Sequence, residues 1–273
     1  MAIVTIFSGT FGDDEELTKN IAESLNCRCV GRDILADAAR RAEVPEAKLD
    51  EILEKEPRWW EVWQENLRPY RIALQAAMTE AALAENLVYY GHVGHALLPG
   101  IRHVVRVLLT APMEFRLEQV RARQGLDTNA ARRYIQHVER ARTRRLMALF
   151  GRDWRDPEQY AVILNRAQIT STGAEKVIAY TAQLFDYQPT AESRQALEDL
   201  ALMSRIEAHL LAFPRLRDLN IGVRAVQGQV TLSALIPHAV SPDEIIQRAK
   251  EVPGVKKVTA DIVSLPSRVL PAG

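Results

Sequence analysis

Residues able to do chemistry first appear at Ser8-Gly9-Thr10-Phe11-Gly12, directly after an apolar run from Ala2 to Phe7. A strand that enters a glycine loop and then a helix offers unpaired backbone N–H groups and a helix N-terminus to an anion, so phosphate is the ligand such a loop suits. A phosphate loop of the usual kind reads Gly-x-x-x-x-Gly-Lys-Ser/Thr. Counted from Gly9, the second glycine position falls on Asp14 and the lysine position on Glu15, with Asp13 before them and Glu16 after. Each carboxylate beside a triphosphate costs on the order of 1 to 4 kcal/mol, depending on solvation. Three readings are open: an acid-rich helix start stabilised by the macrodipole, a loop whose Asp13, Asp14 and Glu15 recruit a cation, and a nucleotide site on Gly9, Thr10 and Gly12.

A second concentration of chemistry lies between Arg102 and Arg145, a stretch rich in arginine and without lysine. Arg133, His137, Arg140 and Arg144 recur at i, i+4, i+7 and i+11 and so share one helix face. Guanidinium groups suit bidentate phosphate binding, which makes this a candidate anion lid. The alternatives are a solvated face paired with the acid-rich N-terminal region, and nucleic-acid binding, against which the confinement of charge to one segment argues. His92 and His95 follow a strand end, where ligands bind in open α/β sheets. Two histidines three apart lack the further ligands a metal needs, and structural roles stay open to them. Trp59, Trp60 and Trp63 have the spacing either to stack a base or to pack along a helix.

The elements that must position these groups follow from periodicity. Strands are expected at Ala2–Phe7, Arg28–Val30, Leu87–Tyr90, Val104–Thr110 and Tyr160–Leu164, alternating with helices. Those helices include one opened by Pro45, a long one over Arg58–Glu85 broken at Pro69, and others over Pro112–Arg123, Thr128–Phe150 and Ala174–Phe185. Such alternation implies right-handed crossovers and a parallel sheet buried on both faces. The polar segment Tyr187–Ser193 interrupts the pattern, which places a first domain at 1–188 and a second at 189–273. The second reads helix, strand, strand, helix, strand, an αββαβ unit.

The chain has 273 residues, enough for about two domains at roughly 150 residues each. Lys plus Arg and Asp plus Glu are 35 each, so the global field supports neither nucleic-acid nor anionic-membrane binding. Cys27 and Cys29, one residue apart on a strand, are expected to be reduced thiols. The first residues have neither the basic flank of a signal peptide nor the length of a membrane span, and a cytoplasmic location is expected.

Five stretches together carry a resemblance: Ser8-Gly9-Thr10-Phe11-Gly12; Val30-Gly31-Arg32-Asp33-Ile34-Leu35; Val88-Tyr89-Tyr90-Gly91-His92; Ala111-Pro112-Met113-Glu114-Phe115-Arg116; and Gly151-Arg152-Asp153-Trp154-Arg155-Asp156-Pro157 with Tyr160 and Leu164-Asn165. In that order the chain, over roughly residues 1–186, resembles the cytidylate-kinase-like family of P-loop nucleoside monophosphate kinases. The resemblance implies a kinase-like parallel sheet flanked by helices with an arginine-rich helical lid. It also implies ligand contacts at Gly9, Thr10, Gly12, Arg32, Asp33, His92, Arg140, Arg142 and Arg144. Three positions depart from the family's pattern: the loop carries Asp13, Asp14 and Glu15, Gly31 stands where an acid precedes the arginine, and His92 replaces the arginine of a Gly-Arg pair. Phosphoryl transfer depends almost wholly on positioning and charge stabilisation, so joint change at these positions points to its loss. ATP and magnesium are implied only if transfer survives.

Residues 193–265 resemble a BON domain through Ile221–Val226, Gln227-Gly228-Gln229-Val230-Thr231-Leu232-Ser233, and Val252-Pro253-Gly254-Val255-Lys256-Lys257-Val258. This resemblance implies a protein or lipid partner. The expected protein is therefore a degenerate, nucleotide-kinase-like regulator that binds a nucleotide or another anionic small molecule, coupled to a BON-like module. The alternatives are an active cytidylate-type kinase and an interaction scaffold.

Overall fold

The computed structural model describes residues 2–9, 14–31, 34, 36–38, 40, 67–84 and 86–265. Thr10, Gly12, Asp13, Arg32, Asp33, the helix expected after Pro45 and the three tryptophans at 59, 60 and 63 lie outside them. No described helix is long and apolar enough to cross a membrane.

The first unit is built on β1 (Ile3–Ser8), β2 (Arg28–Val30), β3 (Leu87–Tyr90), β4 (Val104–Thr110) and β5 (Val162–Asn165). They form one parallel sheet in the order β2-β3-β1-β4-β5. All six residues of β1 are buried, as a central strand covered on both faces requires. Alternation sends Ile3 and Phe7 to one face and Val4 and Ile6 to the other. On the second face α1 (Glu15–Ser24) and α6 (Ser171–Gln183) bury Leu17, Ile21, Ala174 and Ile178. The first face is covered by α2 (Arg68–Ala84), the short α3 (Gly94–Leu97) and the C-terminal part of α5 (Thr128–Phe150), with Leu74, Met78, Leu97, Leu146 and Leu149 in its core. Pro69 sits in the first turn of α2, where its missing N–H costs nothing.

The arm formed by α4 (Met113–Gln124) and α5 has a small core of its own, Leu117, Val120, Ala131 and Ile135. Asp127 opens α5 by accepting from the Ala130 N–H at 2.8 Å.

After a short 3₁₀ turn at Phe185–Tyr187, Thr190 and Ser193 form a reciprocal capping box that starts α7 (Ala191–Leu211) inside the polar segment Tyr187–Ser193. Then come α8 (Pro214–Arg217), β6 (Gly222–Val226), β7 (Gln229–Pro237), α9 (Pro242–Lys250) and β8 (Lys257–Leu265). The order is helix, strand, strand, helix, strand, with the brief α8 added. β6 and β7 pair antiparallel, and β7 and β8 pair parallel. β7 alternates exposed and buried along its whole length, and Leu232, Ile236, Ile245 and Ala249 sit in the core this sheet shares with α7 and α9.

One helix serves both units. Leu197 of α7 belongs to the core over α2, whereas Leu202, Ile206 and Leu210 belong to the core of the three-stranded sheet. Arg68 at the start of α2 donates to the carbonyls of Leu219 (2.8 Å) and Ile221 (3.0 Å), and Arg205 of α7 pairs with Glu80 at 3.2 Å.

Candidate functional site

The C-terminal ends of β1, β3, β4 and β5 gather the groups of interest, because every strand of a parallel sheet delivers its following loop to the same edge. Gly9 extends the β1–β4 ladder by donating to the Leu109 carbonyl at 3.0 Å. Past the residues outside the description, Asp14 stands immediately before α1 and is 4% exposed. Its carboxylate does not cap the helix; it turns into the protein. Oδ2 accepts from the Ser8 hydroxyl at 2.6 Å, and Oδ1 accepts from Arg166 Nε at 3.3 Å. The Asp14 N–H donates to the Tyr90 hydroxyl at 3.4 Å, and its carbonyl accepts from the Thr18 hydroxyl at 2.8 Å. Arg166 is itself held by the Ile169 carbonyl and the Ser171 hydroxyl, each at 2.9 Å. A buried carboxylate beside the start of a helix, its charge met by a guanidinium delivered from the end of the edge strand β5, is held by side chains rather than by the helix amides.

Glu15, next in the chain, points the other way. It forms an exposed ion pair with Lys19 at 2.7 Å, and the Lys19 hydrogen bond and charge lower its pKa from the ordinary value. Two of the three acids expected to recruit a cation are thus engaged in separate pairs, and no group of three potential metal-ligating side chains occurs among the described residues.

The arginine helix presents two faces. Arg133, His137, Arg140 and Arg144, the set that shares a face by spacing, are all exposed, and Arg140 Nε donates back to the Gln136 carbonyl at 3.2 Å. The opposite stripe carries Ile135, Glu139, Arg142, Arg145 and Leu146 toward the protein. On it Arg142 donates to the Ser8 carbonyl at 3.3 Å, which places its guanidinium at the end of β1. Glu139 pairs with Arg116 of α4 and closes the arm on itself. Among the described residues Arg142 is the lid arginine that reaches the end of β1, and Arg140 and Arg144 are exposed on the other side of the helix.

His92 follows β3 and packs edge-on to Phe7, with ring centroids 5.4 Å apart. Burial, then the charges of Arg142 and Arg145 and the neighbouring His95, hold its pKa well below the usual imidazole value. His95 lies on the other edge of Phe7 at 5.5 Å, and burial, with Arg152 and Arg106 adding, brings it to about 4. Both rings are neutral at pH 7 in a cationic neighbourhood. Trp154 of the Gly-Arg-Asp-Trp-Arg-Asp-Pro stretch explains how that motif is used. Its ring stacks on Phe7 at 4.8 Å, its Nε1 donates to the Thr143 hydroxyl at 3.0 Å, and its carbonyl accepts from Tyr160 Oη at 2.7 Å. The motif thereby locks α5, the bearer of Arg142, against β1. Sequence reasoning missed Arg166, which carries no motif of its own. It also assigned Trp154 no role within its motif and left His95 with structural roles open.

A protein from Methanopyrus kandleri named cytidylate kinase is 32% identical over 78 residues, which is 29% of this chain and 40% of that relative. The match spans well under two thirds of that relative's length. Among solved structures, an uncharacterized protein from Eubacterium ventriosum shares the fold, with a TM-score of 0.51 and 15% identity over 67% of this chain and 98% of the other. A shikimate kinase from Bacteroides thetaiotaomicron aligns with a TM-score of 0.40 and 14% identity over 67% of this chain and 96% of its own. Residues 3–168, which run from β1 through Arg166 and so take in Asp14, His92, Arg142 and Trp154, match the cytidylate kinase-like family, and the chain belongs to that family.

Proposed function

We propose that this protein binds a nucleotide or another phosphate-bearing small molecule at the C-terminal edge of the five-stranded sheet without transferring the phosphoryl group. The observation that carries the reading is Asp14. At the position where a phosphate loop has its second glycine stands a buried carboxylate held by Ser8 and Arg166, an anion of the protein's own beside the start of α1. Transfer requires backbone amides and a cation to meet charge that develops on the moving phosphoryl, and here the lysine position is Glu15. Recognition asks less. Arg142 at the end of β1 and a neutral His92 beside it are donors suited to a phosphate or a base edge, and Gly9, Thr10, Gly12, Arg32 and Asp33 complete the ligand set the family resemblance implies.

The C-terminal αββαβ unit, read as BON-like, would pass the bound state to a protein or lipid partner through the α7 helix that both units share. A second reading, an active cytidylate-type kinase, is favoured by one feature. Asp14 and Glu15 each bring their own counter-ion, Arg166 and Lys19, so the loop opposes a triphosphate less than its sequence suggests.

A coupled assay for ADP release with ATP, CMP and magnesium separates the two, run beside calorimetric titration of each nucleotide. The expected result is binding without turnover. Turnover on the order of 1 per second or faster establishes the kinase instead, and absence of both leaves the scaffold.

A further inference from the structure

We propose that the cavity between the two units, where α2, α5, α7 and β6 meet, binds a small amphipathic acid bearing a hydroxyl or amino group beside its carboxylate. The cavity measures about 610 Å³, and of the helix that bears the lid arginines only the last turn, at Ala148 and Leu149, lines it. Its size is that of a site for a small molecule, at the kind of junction where such sites concentrate.

The chemistry comes from one incompletely joined pair. Glu207 of α7 is only 6% exposed, yet its Oε1 stands 3.6 Å from Arg71 Nη2, beyond hydrogen-bond length. Its Oε2 is buried with no hydrogen-bond partner among the described residues. Buried carboxylate oxygens are costly to leave unpaired, and a ligand donor that meets the Glu207 carboxylate from the cavity it lines would offset that cost. Burial raises the Glu207 pKa, with Arg71 and Arg68 opposing, so the carboxylate gains from any added donor. Arg71 keeps partial exposure and donors to spare for an incoming carboxylate. Neighbouring Arg68 is spent on the Leu219 and Ile221 carbonyls and fixes the wall.

Leu149, Met203 and Val223 line the remainder with apolar surface. A ligand that fits has a carboxylate for Arg71, an adjacent donor for Glu207, and a short apolar tail. A nucleotide is a poor match, because its phosphates would bring two or more negative charges beside a buried carboxylate.

The test uses the full chain labelled at its methionine methyls, with the Met203 resonance assigned by Met203→Leu. The probes are L-leucine, its hydroxy analogue, and isocaproate, which keeps the carboxylate and tail but lacks the donor. We expect L-leucine or its hydroxy analogue to shift the Met203 methyl saturably at about 10 mM or below, and isocaproate to bind about tenfold more weakly. Arg71→Met and Glu207→Met are each expected to weaken the donor-bearing acids by about tenfold or more. No saturable shift with either donor-bearing acid would overturn the site, as would isocaproate binding equally well or ATP shifting Met203 in their place. The comparison of the three acids on the unmodified protein decides the matter even if a substituted chain fails to fold.

Discussion

His95 keeps both ring nitrogens buried and without a hydrogen-bond partner among the described residues, between Phe7 and Tyr160 and under the influence of Arg106 and Arg152. Its folded pKa of about 4 lies below the 6.5 of the free side chain, so protons bind the unfolded chain first as the pH falls. The neutral ring's contribution is therefore complete above about pH 6.5 and is lost progressively toward pH 4. Between pH 7 and pH 5 this one group costs about 2 kcal/mol of stability. In His95→Phe, urea unfolding at the two pH values should show that much less loss than in the parent; an unchanged difference would mean that the folded protein protonates the ring. None of this is legible in the sequence, where His95 is a histidine three residues after another. Asp14 and Arg166 are 152 positions apart, and only the parallel order β1-β4-β5 brings their loops together. The arginine spacing marks a face and not its role: Arg133, His137, Arg140 and Arg144 form the solvated stripe, whereas Ile135, Leu146 and Leu149 mark the inner stripe, on which Arg142 rides.

The strands were readable because β-branched and aromatic runs between turn residues leave little else for them to be, and the helices because their apolar spacing is regular. What escaped were the short pieces: α3 has four residues and the 3₁₀ turns Pro157–Gln159 and Phe185–Tyr187 three each, too few for a period to show. The hairpin of the second unit is the opposite case, since Gly228 announces it. Gln227 and Gly228 have φ values of 51° and 84°, a two-residue turn with both centres left-handed, which matches the twist of the β6 and β7 strands it joins. The Gly228 carbonyl also accepts from the Lys256 N–H at 2.8 Å, so the same residue starts the pairing of β8. A Cβ there would stand 2.9 Å from the Gly254 carbonyl oxygen. Gly228→Ala should destabilise the protein by about 2 kcal/mol, from the left-handed backbone penalty together with that contact. Chemical denaturation of the full chain measures it, and a change near zero would show that the turn relaxes to another type.

For the molecule as a whole, the question is whether two cores make two cooperative units. The polar stretch at Tyr187–Ser193 suggested a linker, and its composition is indeed that of one. The capping box it contains instead launches a helix whose first turns pack on α2 and whose later turns pack on the three-stranded sheet. Separating the units would expose Leu197 and Leu200 along one side of α7 and strip the Arg68 guanidinium from the Leu219 and Ile221 carbonyls. Hydrogen bonds from a charged donor contribute about 1.5–3 kcal/mol each, so these contacts are comparable with the few kcal/mol by which one small unit could outlast the other. The full chain is therefore expected to unfold in a single calorimetric transition, with matching calorimetric and van't Hoff enthalpies. Arg68→Met removes both bonds while keeping the stem against its neighbours, and it should lower the midpoint and split or broaden the transition. Two resolved transitions in the unmodified chain would instead make α7 a bridge between independent domains, in which case Arg68→Met would move only the less stable of the two.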